Sequence, residues 1–248
     1  MAQPKYKNPP IDEALCEVAF DTQGQDGWDL TIPGKLQQKV ADDYPGKPKT
    51  QNLQTIEPGG DPSKPAISLR NELFRIHLPN KDETRLLALG PNTLSVSIFK
   101  PYQSWEEDFR PRIDKALAAY MEVAEKTVCV RIGIRYINGI VIPEKEVSFG
   151  DYFSGLRDRD EKMSAQLRHF THRSEYVKET GEKVVITLAT IQAAEQDCCA
   201  VVLDIDAIWD ASPIEGKDDI LAQAESLHAL EGVAFESIIT DKTRALFS

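Results

Sequence analysis

Asp204 and Asp206 stand two residues apart in a run, Ala200 to Trp209, whose apolar residues alternate as in a strand, so both carboxylates leave the chain on one side. Carboxylates placed this way can ligate Mg²⁺ or Ca²⁺ through oxygen, or accept hydrogen bonds from guanidinium groups on a neighbouring strand. Arg131 and Arg135 offer the second arrangement. They lie four residues apart in Val128 to Ile142, the most strand-like stretch of the chain, and share a side with Gly133 and Ile137. An Asp/Arg lattice across a solvated sheet face is therefore available and is the simpler expectation than a metal. Lining a concave surface, the same lattice would bind a polar ligand or a partner's loop. With Tyr136 and Asn138 from the same stretch, the candidate binding set is Arg131, Arg135, Tyr136, Asn138, Asp204 and Asp206.

A second group lies between them in sequence. His169-Phe170-Thr171-His172 spaces two imidazoles three apart, which on a helix would aim both at one metal. The H-E-x-x-H pair is absent, and Arg168 and Arg173 would repel a cation. Arg157, Arg159, Arg168, His169, His172 and Arg173 instead form a basic contact segment, with Phe170 and Tyr176 nearby, suited to phosphate or an acidic surface. Asp158, Asp160 and Glu161 are interleaved with it, which favours an ordinary solvated helix. Gly59-Gly60 lacks the Lys-Ser/Thr of a phosphate loop, and neither G-x-G-x-x-G nor G-x-S-x-G occurs. His77, His228, Cys16 and Cys129 all sit in apolar periodic segments and read as core. Adjacent Cys198 and Cys199 make an awkward mutual disulfide, so all four cysteines read as reduced. No catalytic residue, metal or cofactor is assigned.

Composition sets the outer bounds. The chain has 248 residues, 41% hydrophobic and 28% charged, with 29 Lys and Arg against 40 Asp and Glu, a net charge of −11. That is enough apolar content to exclude disorder for the bulk of the chain. The charge is uneven: residues 181–248 hold 4 basic and 13 acidic residues. Such a balance argues against a general nucleic-acid binder, which needs a basic footprint, and suits a basic partner surface. No run approaches the ~18 apolar residues of a membrane span. The opening Met1-Ala2-Gln3-Pro4-Lys5 lacks the apolar centre of a secretion signal, so the expected location is the cytoplasm.

The elements that must position these groups follow from periodicity. A Lys/Pro-rich lead-in, with Tyr6 and Asn8 expected to pin it to the sheet, precedes a strand at 14–20, a turn at Gly24 and Gly27, and a helix at 32–43. A short strand at 50–57, a loop at 59–65 and strands at 66–78 and 84–99 come next. Ser104-Trp105-Glu106-Glu107 is a capping box opening a helix whose stripe is Trp105, Phe109, Ile113, Leu117, Tyr120 and Ala124, bent near Pro111. The second half predicts the strand 128–142, a mainly helical stretch over 149–172, a hairpin at 174–193 turning near Gly181, the strand 200–209 and a helix from Asp218, with Thr240-Asp241 capping a last turn. Both halves thus read β-α-β-β-β-α. The predicted fold is α+β: two tandem units, 1–126 and 127–248, forming a mainly antiparallel sheet with long helices on one face.

Tyr6-Lys-Asn8-Pro9-Pro10-Ile11-Asp-Glu13-Ala14, Arg131-Ile-Gly-Ile-Arg135-Tyr136-Ile137-Asn138 and Leu203-Asp204-Ile205-Asp206 occur in that order, followed by Leu227-His228 and Phe235-Glu236 to Asp241. Together they resemble a sporadically distributed family of uncharacterised bacterial proteins of about this chain's length. The resemblance implies a single family-wide module and carries no activity, catalytic residue or cofactor. Its patchy occurrence suits mobile or antiviral-defence gene sets. The expected function is accordingly a non-catalytic cytoplasmic protein-binding module, an accessory or regulatory subunit holding a protein partner through the open sheet face and the acidic end, with a homodimer as a further expectation. A small-ligand binding protein or enzyme using the Arg/Asp site is the second reading. A nucleic-acid-binding accessory protein using 157–173 is the third.

Overall fold

The computed structural model of the chain describes residues 6–22, 28–58, 67–156, 159–160, 165–194 and 197–248. The expected turn at Gly24 and Gly27, the loop at 59–65, Arg157 and Lys162 lie outside the described residues. The elements are β1 Ile11–Phe20, α1 Ile32–Lys39, β2 Lys49–Pro58, β3 Ile67–Pro79, β4 Arg85–Leu89 and β5 Thr93–Phe99. A π-helical turn, Trp105–Phe109, leads into α2, Arg110–Ala124. Then come β6 Val128–Ile142, α3 Phe149–Tyr152, β7 Arg159–Asp160, β8 Ala165–Gln166, β9 Thr171–Val177, β10 Lys183–Ile191, β11 Cys199–Trp209 and β12 Ile214–Glu215. The chain ends with α4 Lys217–Ile238, α5 Asp241–Arg244 and a 3₁₀ turn, Ala245–Phe247.

Ten strands make one mainly antiparallel open sheet, ordered β2-β3-β4-β5-β1-β6-β11-β10-β9, with β12 also on β6; β7 and β8 pair separately. Alternation decides which face each strand buries. Ala14, Cys16, Val18 and Phe20 of β1 and Ile132, Ile134 and Tyr136 of β6 form a core with Leu36 of α1, Ile113, Leu117 and Tyr120 of α2 and Ile220 and Leu227 of α4. A second core joins Ile140 and Ile142 of β6, Leu203 and Ile205 of β11 and Val184 and Ile186 of β10 to Phe235 of α4 and Phe149 and Phe153 around α3. The long helices thus share one face, and the other face carries Glu17, Arg131, Arg135, Asp204 and Asp206 interspersed with Leu15, Ile137 and Val185.

Several boundaries differ from the sequence reading, each for a local reason. The expected strand at 84–99 is two strands: Gly90 N–H bonds back to the Thr93 carbonyl, turning the chain between β4 and β5. Among the described residues of the stretch 149–172 the helix is Phe149–Tyr152, and His172 belongs to β9, where it pairs with Leu188 of β10. Its charged residues alternate without a helical apolar stripe, so nothing drives a helix there. Helix α1 stops at Lys39, short of the predicted 43. Tyr6 and Asn8 tie the lead-in to the C-terminal segment, Tyr6 donating to Glu236 at 2.6 Å and Asn8 N–H to the Phe247 carbonyl at 3.0 Å, while the Pro10 carbonyl meets the sheet by accepting from Gly139 N–H of β6 at 2.9 Å. The caps fall where predicted, with Ser104 Oγ accepting from Glu107 N–H and Thr240 Oγ1 from Thr243 N–H. Gly181, at φ +104, turns the β9–β10 hairpin.

Candidate functional site

The open face is the side of β6 that carries Arg131, Gly133 and Arg135. In the ladder, Asp206 of β11 sits opposite Arg135, and Asp204 opposite Ile137. Arg135 reaches diagonally to Asp204, donating from Nε at 2.7 Å and Nη2 at 2.6 Å, a bidentate pair that holds the guanidinium more firmly in its charged form. Arg131 runs the other way. Its Nη1 donates to Glu17 of β1 at 3.1 Å, and its Nη2 lies 3.7 Å from Asp206. Glu17 also accepts from Arg75 Nη2 at 2.7 Å and from Ser95 Oγ at 3.1 Å. Arg75, on β3, reaches Glu17 across the strands that carry Ala88 and Ser95, small residues in the row His77–Ala88–Ser95–Glu17.

These groups surround a cavity of about 250 Å³ lined by Glu17, Arg75, Arg131, Gly133, Arg135 and Asp206. A neighbouring hollow of about 150 Å³ continues over Asp204 and Asp206 to Thr187 of β10 and Arg173 of β9. Gly133 forms the floor. A Cβ there would stand 3.3 Å from both Arg131 terminal nitrogens and 3.3 Å from Asp206 Oδ1, so its absence lets the Arg131 guanidinium lie along the strand. Two groups in the cavity are poorly satisfied. Arg75 Nε is buried without a hydrogen-bond partner. Asp206 has only the 3.7 Å contact with Arg131 as an ion pair among the described residues, and burial raises its pKa despite the arginines nearby. Three guanidinium groups and the Asp206 carboxylate around one hollow make a site able to take a small molecule bearing both an anionic group and a hydrogen-bond donor.

The Asp/Arg lattice is thus the observed arrangement for Arg131, Arg135, Asp204 and Asp206. Tyr136 and Asn138 do not share it. They point to the helical face, 3% and 2% exposed, because alternation sends them opposite to Arg135. Asn138 Nδ2 donates to the Leu203 carbonyl. Tyr136 hydroxyl meets Tyr102 hydroxyl and His228 Nδ1, each at 3.1 Å, and His228 stacks on Trp105 with ring centroids 4.1 Å apart. Burial lowers the His228 pKa to about 4, and raises that of buried Glu231, one turn further along α4, to about 8.

Of the basic segment, Arg157 lies outside the described residues. Arg168 pairs with Glu146 at 3.4 Å, His169 lies outside any element near Thr190, and His172 and Arg173 alternate to opposite faces of β9. Arg159 lies in the two-residue strand β7. The two histidines are therefore not stacked on a helix. Among the described residues no three His, Cys, Asp or Glu side chains gather as a metal site requires, and Cys16 and Cys129 are buried in the larger core.

Glu17, Arg75, Ser95 and Gly133 are the site residues that sequence reasoning did not single out. Their only sequence signal is position on the polar phase of an alternating strand, and β3 enters the site only through the sheet order. The chain matches no protein-family model, no curated protein and no solved structure.

Proposed function

We propose that the chain is a binding module whose open sheet face holds a small polar ligand, one that presents a carboxylate or phosphate to Arg75 and Arg131 and an amine or ring N–H to Asp206. The observation that carries this is the charged cradle over Gly133: Arg75, Arg131 and Arg135 line one hollow of about 250 Å³ together with Asp206, whose ion pair among the described residues is the 3.7 Å contact with Arg131. Two tandem units, 1–126 and 127–248, underlie it in this reading. In support, β1 and β6 are central neighbours, and each pairs with the last long strand before the next long helix, β5 or β11. The role of accessory or regulatory subunit in a bacterial antiviral system, with a protein partner on the acidic end, rests on the motif resemblance and on the acid clustered in residues 181–248.

Thermal shift and titration calorimetry against a panel of α-amino acids, nucleotides and inorganic phosphate test the ligand site. A real ligand raises Tm by mass action. The expected result is a hit whose affinity falls at least about tenfold in both R131A and D206N, the size of losing one charged hydrogen bond. A hit indifferent to both substitutions places the ligand elsewhere and overturns this reading of the cradle; so does a panel with no hit.

A further inference from the structure

Among the described residues strand β9 ends the sheet. It pairs with β10 on one side and is the last in the strand order, and its seven residues are exposed except for a half-buried Ser174. An unpaired edge presents a row of backbone N–H and C=O groups ready for another strand, and natural proteins blunt such an edge with proline, charged side chains, a bulge or a cover; the charges on β9, Arg173 and Glu175, are of opposite sign. β9 has no proline, and its register with β10 runs without a shift from Thr171 to Val177. It also leaves apolar surface at its end, with Tyr176 59% and Val177 62% exposed.

The sequence of this edge is complementary to itself. Laid antiparallel on a second copy about Ser174, Arg173 falls opposite Glu175 and Glu175 opposite Arg173, while His172 meets Tyr176 and Thr171 meets Val177. Within one chain neither Arg173 nor Glu175 has an ion-pair partner among the described residues; Arg173 makes only a 3.2 Å hydrogen bond to Thr187 Oγ1. Both project on the open face, since they pair with Thr187 and Val185. Two cross-strand ion pairs related by a two-fold axis would satisfy all four charges, and the aromatic Tyr176 would cover His172 on the helical face.

We infer that β9 is a homodimerisation edge, joining two copies of this chain antiparallel about Ser174 into one continuous sheet. The consequence reaches the cradle. Arg173 lines the smaller hollow beside Asp204 and Asp206, so Glu175 of the second copy would stand at its mouth and each copy would complete the other's site.

Charge exchange tests the register as well as the association. By sedimentation equilibrium the unaltered chain should dimerise, and R173E and E175R should each weaken the dimer at least about tenfold, since every cross-strand pair becomes a like-charge pair. The double variant R173E/E175R should regain it. A mixture of the two single variants should form heterodimers in preference to either homodimer. All four residues in these pairs are solvent-exposed in the single chain, so circular dichroism should show unchanged folding. A monomeric unaltered chain, a dimer that the single reversals leave intact, or a loss that the double variant does not rescue would each overturn the proposal, the first pointing to a foreign strand or to no strand at all.

Discussion

Gly133 shows how much one missing methyl group can arrange. In the middle of a central strand glycine costs roughly 0.5–1 kcal/mol relative to alanine. Here it leaves room for the Arg131 side chain to lie between Glu17 and Asp206. G133A should therefore leave Tm unchanged or slightly raised, while weakening any cradle ligand at least about tenfold; a stability assay beside calorimetry separates the two effects. Half-buried His228 and buried Glu231 make a second prediction at this scale. His228 has a folded pKa lowered to about 4, so the unfolded chain binds more protons between that value and its ordinary 6.5, and stability rises with pH across that window. Glu231 has a folded pKa raised to about 8 from 4.5, so the folded chain holds the extra proton and stability falls with pH between those values. The two slopes cancel from 4.5 to 6.5. The summed contribution of these two groups should be flat there, Glu231 should then take away about 2 kcal/mol up to pH 8, and E231Q should remove that loss relative to the unaltered chain. Melting curves at half-unit pH steps check it.

Elements are held in register by a few buried polar contacts. Arg85 of β4 and Asp108 in the π-helical turn form an ion pair at 2.7 Å with side chains 7% and 8% exposed. Arg85 donates further to the Thr84, Phe99 and Pro101 carbonyls, and Asp108 also accepts from Arg112 of α2 at 2.5 Å. The pair ties the start of α2 to the β4–β5 hairpin. D108A strands a buried guanidinium and should cost about 3–5 kcal/mol, whereas the apolar double replacement R85M/D108L should cost much less. Chemical denaturation of the two variants decides whether the charge or only the shape matters. Legibility at this scale depended on length and period. The stripe from Trp105 to Ala124 was readable because it repeats over several turns, and every member of it is buried. The stretch 149–172 was misread as helix because short strands and turns leave no period to recognise.

Across the whole molecule the two halves share their interior. The larger core joins Leu36, Leu117 and Phe109 from the first half to Ile132, Tyr136, Ile220 and Leu227 from the second. Strand β1 is paired on both sides, with β5 and β6. Residues 1–126 expressed alone would expose that edge and lose one wall of the core, and should be unfolded or aggregated, while the full chain should melt in one transition. Calorimetry of the chain and solubility of the fragment test this; a folded, soluble fragment would refute it. No helix among the described residues is long and apolar enough to cross a membrane.

The sequence by itself determined which residues face which way. Alternation put Arg131 with Arg135 and Asp204 with Asp206, and it also sent Tyr136 and Asn138 to the other face, because successive strand residues point in opposite directions whatever the strand pairs with. The capping residues, the long helical stripe and the mainly antiparallel α+β class were likewise written in local pattern. Tertiary structure alone decided which strands are neighbours. Only the order β3-β4-β5-β1-β6-β11 brings Arg75 and Glu17 to Arg131 and Asp206, since strand pairing between distant segments is a property of the packed sheet and leaves no spacing in the chain. The same holds for Glu231: the sequence indicated a helix from Asp218, but nothing in it marked this carboxyl as buried, and its cost comes from the core that closes over it.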